Sequence, residues 1–161
     1  MREPRPIRGA RTPLFERLTD LDPENTSEPE PARVLNRAAL RESVRRELSW
    51  LLNTRSPMNS ARTGTILDYG IPGFTWLSPA SGQDRELVGE AIATKVAAFE
   101  PRLRDVRVSM EANPANPRAI VGRLEAMLVV EMIAEPVSFP LSISSTGSAE
   151  VASPEAPSNG S

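Results

Sequence analysis

Carboxylates are the side chains of this sequence best placed to do acid–base chemistry, because the chain contains no histidine and no cysteine. Imidazole bases, thiol nucleophiles and zinc sites built from these two residue types are therefore excluded. A glycoside hydrolase would need two carboxylates held at a fixed separation across a cleft. The candidates by position are Asp68, Glu100, Glu125 and Glu131.

Each candidate also has a structural explanation. Glu125 and Glu131 fall within a predicted strand, where charged side chains commonly face solvent. Asp68 precedes a Tyr-Gly pair, where an aspartate side chain often bonds to the backbone of a turn. Arg102 offers Glu100 an ion-pair partner, which suits a structural carboxylate better than a general acid. The sequence therefore predicts no catalytic residue, no cofactor and no metal site.

A second chemical feature is the corner formed by Glu100, Pro101 and Arg102, between a predicted helix and a predicted strand. Pro101 fixes the direction in which the backbone leaves the helix. Arg102 and Arg104, on the same side by strand periodicity, each present guanidinium donors in a planar fork. Such an array could bind carboxylates of a partner or fix the helix end of its own domain, and these residues leave both interpretations open.

Two helices and three strands would position these residues. Apolar residues recur every three to four positions in the helices and alternate in the strands. The predicted elements are helices at 32–53 and 84–99 and strands at 103–112, 122–134 and 137–143. Pro140 cannot donate to a ladder, which favours an edge position for the last strand. The predicted fold class is α+β, with two main helices joined by a long ordered loop and packed on a small antiparallel sheet of three or more strands.

Composition divides the chain into three regions. Residues 1–33 are rich in proline and charge and predict a flexible arm. Residues 34–143 have ordinary globular composition and predict one α+β domain, whereas residues 144–161 predict a disordered tail.

The net charge of −2 gives no field that would steer the protein to nucleic acid. No apolar run approaches the roughly 20 residues of a membrane helix, and the N-terminus lacks the apolar core of a secretory signal, so we expect a cytoplasmic location.

The first predicted helix carries an arginine at every fourth position, at 33, 37, 41 and 45. Residues four apart share one face of a helix, so these side chains form a basic stripe. A solvated face is one explanation, and a surface for an acidic partner is the other.

Three stretches resemble one family in their order and spacing. They are "ELSWLLNTR" from Glu47 to Arg55, "TILDYGIPGFTWLSP" from Thr65 to Pro79 and "FEPRL" from Phe99 to Leu103. Over roughly residues 35–143 the chain resembles TssE, the baseplate subunit of type VI secretion systems. That family is similar to the wedge proteins of contractile phage tails that are often labelled lysozyme-like. The resemblance implies a structural loop built by Asn53, Thr54, Arg55, Asp68, Tyr69, Gly70 and Pro72.

The role that the resemblance implies is structural. It predicts a baseplate subunit that docks and nucleates the contractile sheath through an open sheet edge and the corner residues Glu100, Pro101, Arg102 and Arg104. The implied partners are other wedge subunits and sheath subunits, with no nucleic acid, no small-molecule substrate and no membrane insertion. The implied location is the bacterial cytoplasm, at the envelope-anchored baseplate. The alternative function is a peptidoglycan-degrading, lysozyme-like enzyme.

Overall fold

The computed structural model describes residues 36–56, 68–74, 78–130 and 133–154. Its elements are helices α1 (Arg37–Asn53) and α2 (Gly82–Phe99) and strands β1 (Leu103–Ala112), β2 (Ile120–Val130), β3 (Ile133–Ile143) and β4 (Ala149–Val151). The strands form one antiparallel sheet in the order β1-β2-β3-β4. The predicted α+β class is confirmed. The predicted flexible arm at 1–33, and residues 155–161 of the predicted tail, lie outside the described residues.

Both helices begin at a side-chain cap. The side-chain oxygen of Asn36 accepts a hydrogen bond from the backbone N–H of Ala39 at 2.8 Å. At the start of α2, the Ser81 hydroxyl accepts from the N–H of Asp84 at 3.2 Å. Such caps satisfy backbone donors that lack a partner in the first turn. Because Ser81 is the cap, α2 begins two residues before its predicted start. Neither helix of the described residues is long and apolar enough to cross a bilayer.

The hairpin of β2 and β3 corrects the predicted strand boundaries. The two strands pair continuously from Ile120 opposite Ile143 to Val130 opposite Ile133. The predicted strand 122–134 therefore contains the connection between two strands, and β3 starts at Ile133 rather than at 137. No glycine or proline interrupts the sequence there, so the alternating pattern runs through the turn without a signal.

Strand β4 corrects the prediction of disorder for residues 144–154. Ala149–Val151 pairs with Leu141–Ile143, so the last predicted strand is not an edge strand along this length. Pro140 lies within this sheet although it has no backbone N–H to donate. Its carbonyl accepts from the N–H of Ala152 at 3.0 Å. The nitrogen and carbonyl of one strand residue point to the same side, so the missing donor of Pro140 faces β4 and not β2.

The apolar core lies between the helices and one face of the sheet. The largest fully buried side chains come from both layers and from the loop between the helices: Leu40, Val44, Leu48, Leu51 and Leu52 from α1, Ile71 from the loop, Val88, Ile92 and Val96 from α2, Leu124 and Leu128 from β2, and Phe139 from β3. Alternating residues on the opposite face of the sheet, including Arg107 and Glu125, are exposed. Burial of one face of each element drives this packing.

The described arginines of the basic stripe form ion pairs and hydrogen bonds within the domain. The Arg41 Nε donates to the carboxylate of Glu135 on β3 at 3.0 Å, and Arg37 lies 3.9 Å from the same carboxylate. Arg45 pairs with Glu42 at 2.6 Å and donates to the carbonyl of Val151 at 3.1 Å. The predicted stripe on α1 is therefore partly engaged with residues of β3 and β4 rather than wholly solvated. Arg33 lies outside the described residues.

Candidate functional site

The corner after α2 is built around a buried ion pair. Glu100 is only 4% exposed, and its backbone N–H donates to the carbonyl of Val96 at 2.8 Å at the end of the helix. The Arg102 side chain turns back and donates from Nε to Oε1 at 2.8 Å and from Nη2 to Oε2 at 2.6 Å. This bidentate arrangement is the strongest geometry for an arginine–carboxylate pair. Pro101, between the two partners, is exposed.

Arg102 also joins the corner to α1 and to the sheet. Its Nη1 donates to the hydroxyl of the fully buried Ser43 at 2.9 Å. Its carbonyl accepts from the N–H of Val129 on β2 at 2.8 Å. Of the two interpretations that the sequence leaves open, the structure shows the second, because the Arg102 guanidinium fixes the helix end of its own domain. A role for this residue in partner binding remains a prediction.

Arg104 takes the outward position at the corner. It lies in β1 next to Asp105, which has a positive φ of 53°, and the register of β1 against β2 shifts between Arg104 and Arg107. Aspartate tolerates this left-handed conformation better than most residues, and the shift marks a bulge that redirects side chains. Leu103 is buried whereas Arg104 and Asp105 are exposed. The corner therefore presents Pro101 and Arg104 on a rigid, internally bonded support.

The predicted loop residues are brought together by a short parallel bridge between Arg55 and Ile71. The N–H of Ile71 donates to the carbonyl of Thr54 at 2.9 Å, and the N–H of Ser56 donates to the carbonyl of Ile71 at 3.0 Å. Gly70 has a φ of 106°, which places its backbone directly against Thr54. Pro72 follows the bridge. The two motifs "LLNTR" and "YGIP" are therefore parts of one contact, although they lie about 15 residues apart in the sequence.

A buried lysine of α2 binds the backbone of this loop at Asp68. Lys95, the only lysine of the chain, is 9% exposed and donates from Nζ to the carbonyl of Asp68 at 2.7 Å. Its ammonium lies 5.9 Å from the centre of the Phe99 ring. Tyr69 packs edge to face on that ring at 5.4 Å. Our reading of the sequence missed this role and that of Ser43. The available signal was a polar residue placed between buried apolar positions of a helix.

The environment of Tyr69 raises its pKa to about 12, chiefly through burial and secondarily through the negative charges of Glu47 and Glu100. The folded pKa then exceeds the unfolded value of about 10, so the neutral phenol stabilises the fold. This contribution is complete below the unfolded pKa and is lost as pH rises from about 10 through 12. We expect ultraviolet absorbance of tyrosinate to titrate near pH 12 in the folded protein and near 10 in urea.

This titration is unambiguous because Tyr69 is the only tyrosine. As a control, Phe99→Ala removes the ring that covers the phenol and should move the folded midpoint toward 10. A midpoint near 10 in the folded wild-type protein would contradict the expected burial.

The candidate carboxylates of the described residues lie in different environments. Glu100 is buried and bonded to Arg102, while Glu125 is exposed on the sheet face opposite the core. Asp68 is 5% exposed. Glu131 lies outside the described residues. Within the described ranges, no group of three or more acidic residues could hold a metal ion.

A groove of about 200 Å³ lies at the opposite end of the sheet. It is bordered by Asp84 and Arg85 at the start of α2, by Arg118 in the β1–β2 turn and by Ile120 and Ile143. Asp84 accepts from the N–H of Ser78 at 2.8 Å, and Arg85 donates to the carbonyl of Pro79 at 2.7 Å. These two charged side chains therefore bind backbone groups of adjacent residues in the groove wall.

The family of the baseplate wedge protein gp25 matches residues 38–133, and the chain belongs to that family. The predicted resemblance to the wedge proteins of contractile tails is thereby confirmed.

One solved structure, described as "The baseplate complex from the type VI secretion system", contains a chain similar to this one. It has 18% sequence identity and a TM-score of 0.47, over 62% of this chain and 89% of that chain. No curated protein is similar enough to this chain to add to the comparison.

Proposed function

We propose that this protein is the wedge subunit of a type VI secretion baseplate and that it docks and nucleates the contractile sheath. Family membership supports the general role in a baseplate. The observation that carries the docking role is the corner, where a buried ion pair holds Pro101 and Arg104 at the surface. A rigid element that presents an exposed arginine suits recognition of partner carboxylates, since little conformational freedom is lost on binding.

The proposed partners are other wedge subunits and the first sheath subunits. In this proposal Glu100 and Arg102 position the corner, and Arg104 contacts the partner. The proposed place of action is the cytoplasm, at the envelope-anchored baseplate, with no nucleic acid, small-molecule substrate or membrane insertion involved.

Arg104→Glu tests the docking role. Reversing an exposed charge should leave the thermal midpoint unchanged, because the side chain is outside the core. The number of fluorescently labelled sheaths per cell should fall at least tenfold, since like charges at an interface are repulsive. Arg118→Glu is the matched control, because Arg118 is also exposed but lies in the turn at the other end of β1. Normal sheath numbers with Arg104→Glu would contradict docking through this corner.

We infer a non-enzymatic role. The alternative function, peptidoglycan degradation, can be tested with the purified protein. The engagement of Glu100 with Arg102 supports the structural role, because a general acid must be free to reach its substrate. Purified protein should release no soluble fragments from isolated cell walls. Release that is abolished by Glu100→Gln would establish the enzymatic function instead.

A further inference from the structure

A bulge in β1 brings two exposed arginines to the outer face of the sheet, the face opposite the helices. Arg104 lies opposite Met127 and Arg107 lies opposite Glu125, and the register shifts between these two pairs. The two residues between the arginines therefore oppose a single residue of β2, Ala126, which is buried on the core side. Met127 and Glu125 are two residues apart on β2 and so face the same side. The two arginines opposite them share the outer face for that reason.

Charge is segregated along this outer face. From the corner to the far end, the rows of opposed residues are Arg104–Met127–Pro136, Arg107–Glu125–Ser138, Ser109–Arg123–Pro140 and Glu111–Val121–Ser142. Glu150 of β4 lies opposite Ser142 in the last row. Each of the three rows nearest the corner thus holds an arginine, with a single glutamate among them, whereas the last row holds two glutamates.

Two of these arginines are available to a ligand. Arg104 and Arg107 are exposed, and among the described residues neither forms an ion pair or a side-chain hydrogen bond. Asp105 lies between them in the bulge, on the other side of the strand. Arg123 is half-buried and donates to the hydroxyl of Ser138 at 3.3 Å. Guanidinium groups held on a rigid sheet can bind carboxylates without rearrangement of the domain.

The chain itself contains a complementary acidic segment. Residues 20–30 hold five acidic residues and no basic one, namely Asp20, Asp22, Glu24, Glu28 and Glu30. The first three alternate along the sequence, so an extended segment would carry their carboxylates on one side at a spacing of about 7 Å. Successive rows of the outer face have the same spacing, because they are two residues apart on β2.

The acidic segment also joins the domain at the end of the sheet that carries the arginines. The described chain starts at Asn36, the cap of α1, and Arg37 in the first turn lies 3.9 Å from Glu135 of β3. The register places Glu135 in the row directly before that of Arg104. The chain from Glu24 to Asn36 can span up to roughly 40 Å, which is enough to pass round the end of the sheet to its outer face.

We propose that the acidic segment, residues 20–30, lies extended across the outer face of the sheet in the free protein and covers Arg104 and Arg107. The intramolecular contact rests on charge, spacing and chain length alone. Its consequence for assembly rests on the proposed function, because Arg104 is the proposed contact to the partner. The segment then masks the docking corner until a partner displaces it.

The charges define one register for the segment. A segment that enters from the corner places Glu24, Asp22 and Asp20 over the three rows that contain an arginine. Leu18 then lies over the half-buried Val121, in the row of the two glutamates, where a further carboxylate would be repelled.

Disulfide trapping in the full-length chain tests this contact without a partner. The wild-type chain has no cysteine, so the variant Leu18→Cys/Ser109→Cys contains only the designed pair. Ser109 is exposed on the outer face, in the row of Arg123. The matched control is Leu18→Cys/Ala98→Cys, because Ala98 is also exposed but lies in the last turn of α2, on the helix side of the sheet.

We expect the disulfide to position 109 to form at least tenfold faster than that to position 98, measured by mass spectrometry after timed oxidation in dilute buffer. Salt at 1 M should abolish the preference, because it shortens the Debye length from about 10 Å at 0.1 M to about 3 Å. Arg104→Glu/Arg107→Glu should also abolish it, and the added reversals Asp22→Arg/Glu24→Arg should restore it. Equal rates for the two pairs, a preference that survives the arginine reversal, or a disulfide between two chains would overturn the contact.

A neutralised segment tests the masking of Arg104 during assembly. The variant Asp20→Asn/Asp22→Asn/Glu24→Gln should nucleate purified sheath subunits at least threefold faster than the wild type. Nucleation at the wild-type rate would overturn masking. A wild-type protein that does not promote sheath assembly would contradict the proposed function instead, while the trapping result would still decide the intramolecular contact.

Discussion

Replacing Arg102 with alanine should destabilise the domain by about 3–5 kcal/mol, because it leaves the Glu100 carboxylate buried without its charged partner. The side chains of Arg102 and Glu100 are 18% and 5% exposed, so water cannot substitute for the lost guanidinium without opening the corner. The substitution also removes the donor to Ser43, which joins the corner to α1. Urea denaturation followed by circular dichroism measures this loss of unfolding free energy.

Arg104→Ala is the matched control for this prediction. It removes an exposed arginine two residues away and should change stability by no more than about 0.5 kcal/mol. The double variant Glu100→Gln/Arg102→Ala should be more stable than Arg102→Ala, since it no longer buries an unpaired charge. A loss below about 1 kcal/mol for Arg102→Ala would match an exposed ion pair and contradict the buried geometry.

This prediction also affects how the docking role is tested. Loss of sheath assembly in Arg102→Ala would follow from destabilisation alone. Arg104→Glu separates docking from folding, because Arg104 is exposed at the same corner.

The second large effect is expected for Gly70→Ala. Gly70 has a φ of 106°, a conformation that side chains rarely adopt, and a Cβ there would lie 2.8 Å from the carbonyl carbon of Thr54 and closer still to its oxygen. That oxygen accepts from the N–H of Ile71, so Thr54 cannot move away without breaking the bridge between the two motifs. Backbone strain and overcrowding each cost about 1–3 kcal/mol, so we expect a total loss of about 3 kcal/mol or more.

Gly73→Ala provides the comparison within the same loop. A Cβ at Gly73 meets no atom within 4 Å, and its φ lies outside the left-handed region. Its stability should remain within about 0.5 kcal/mol of the wild type in the same urea titration. Similar losses for the two variants would contradict the close approach of Gly70 to Thr54.

Periodicity predicted the elements that carry long amphipathic patterns. The buried faces of α1 and β3 follow the predicted spacing, as Leu40, Val44 and Leu48 show in the helix and Val137 and Phe139 in the strand. The stop at Pro101 was also predicted, since proline restricts the residue before it whatever the surroundings. The hairpin between β2 and β3 was missed because its turn has no distinctive residue.

The sequence by itself determined the fold class, the absence of histidine and cysteine chemistry, and the corner at Pro101, because these depend on composition and on local backbone restrictions. The tertiary structure decided where Arg102 points and whether residues 149–151 form a strand. Both outcomes depend on partners distant in the sequence, namely Ser43 for Arg102 and Asn53 for Ala149. A guanidinium two residues from a carboxylate can face inward or outward with the same local pattern. Only the packing of α1 against the sheet places the groups that select one direction.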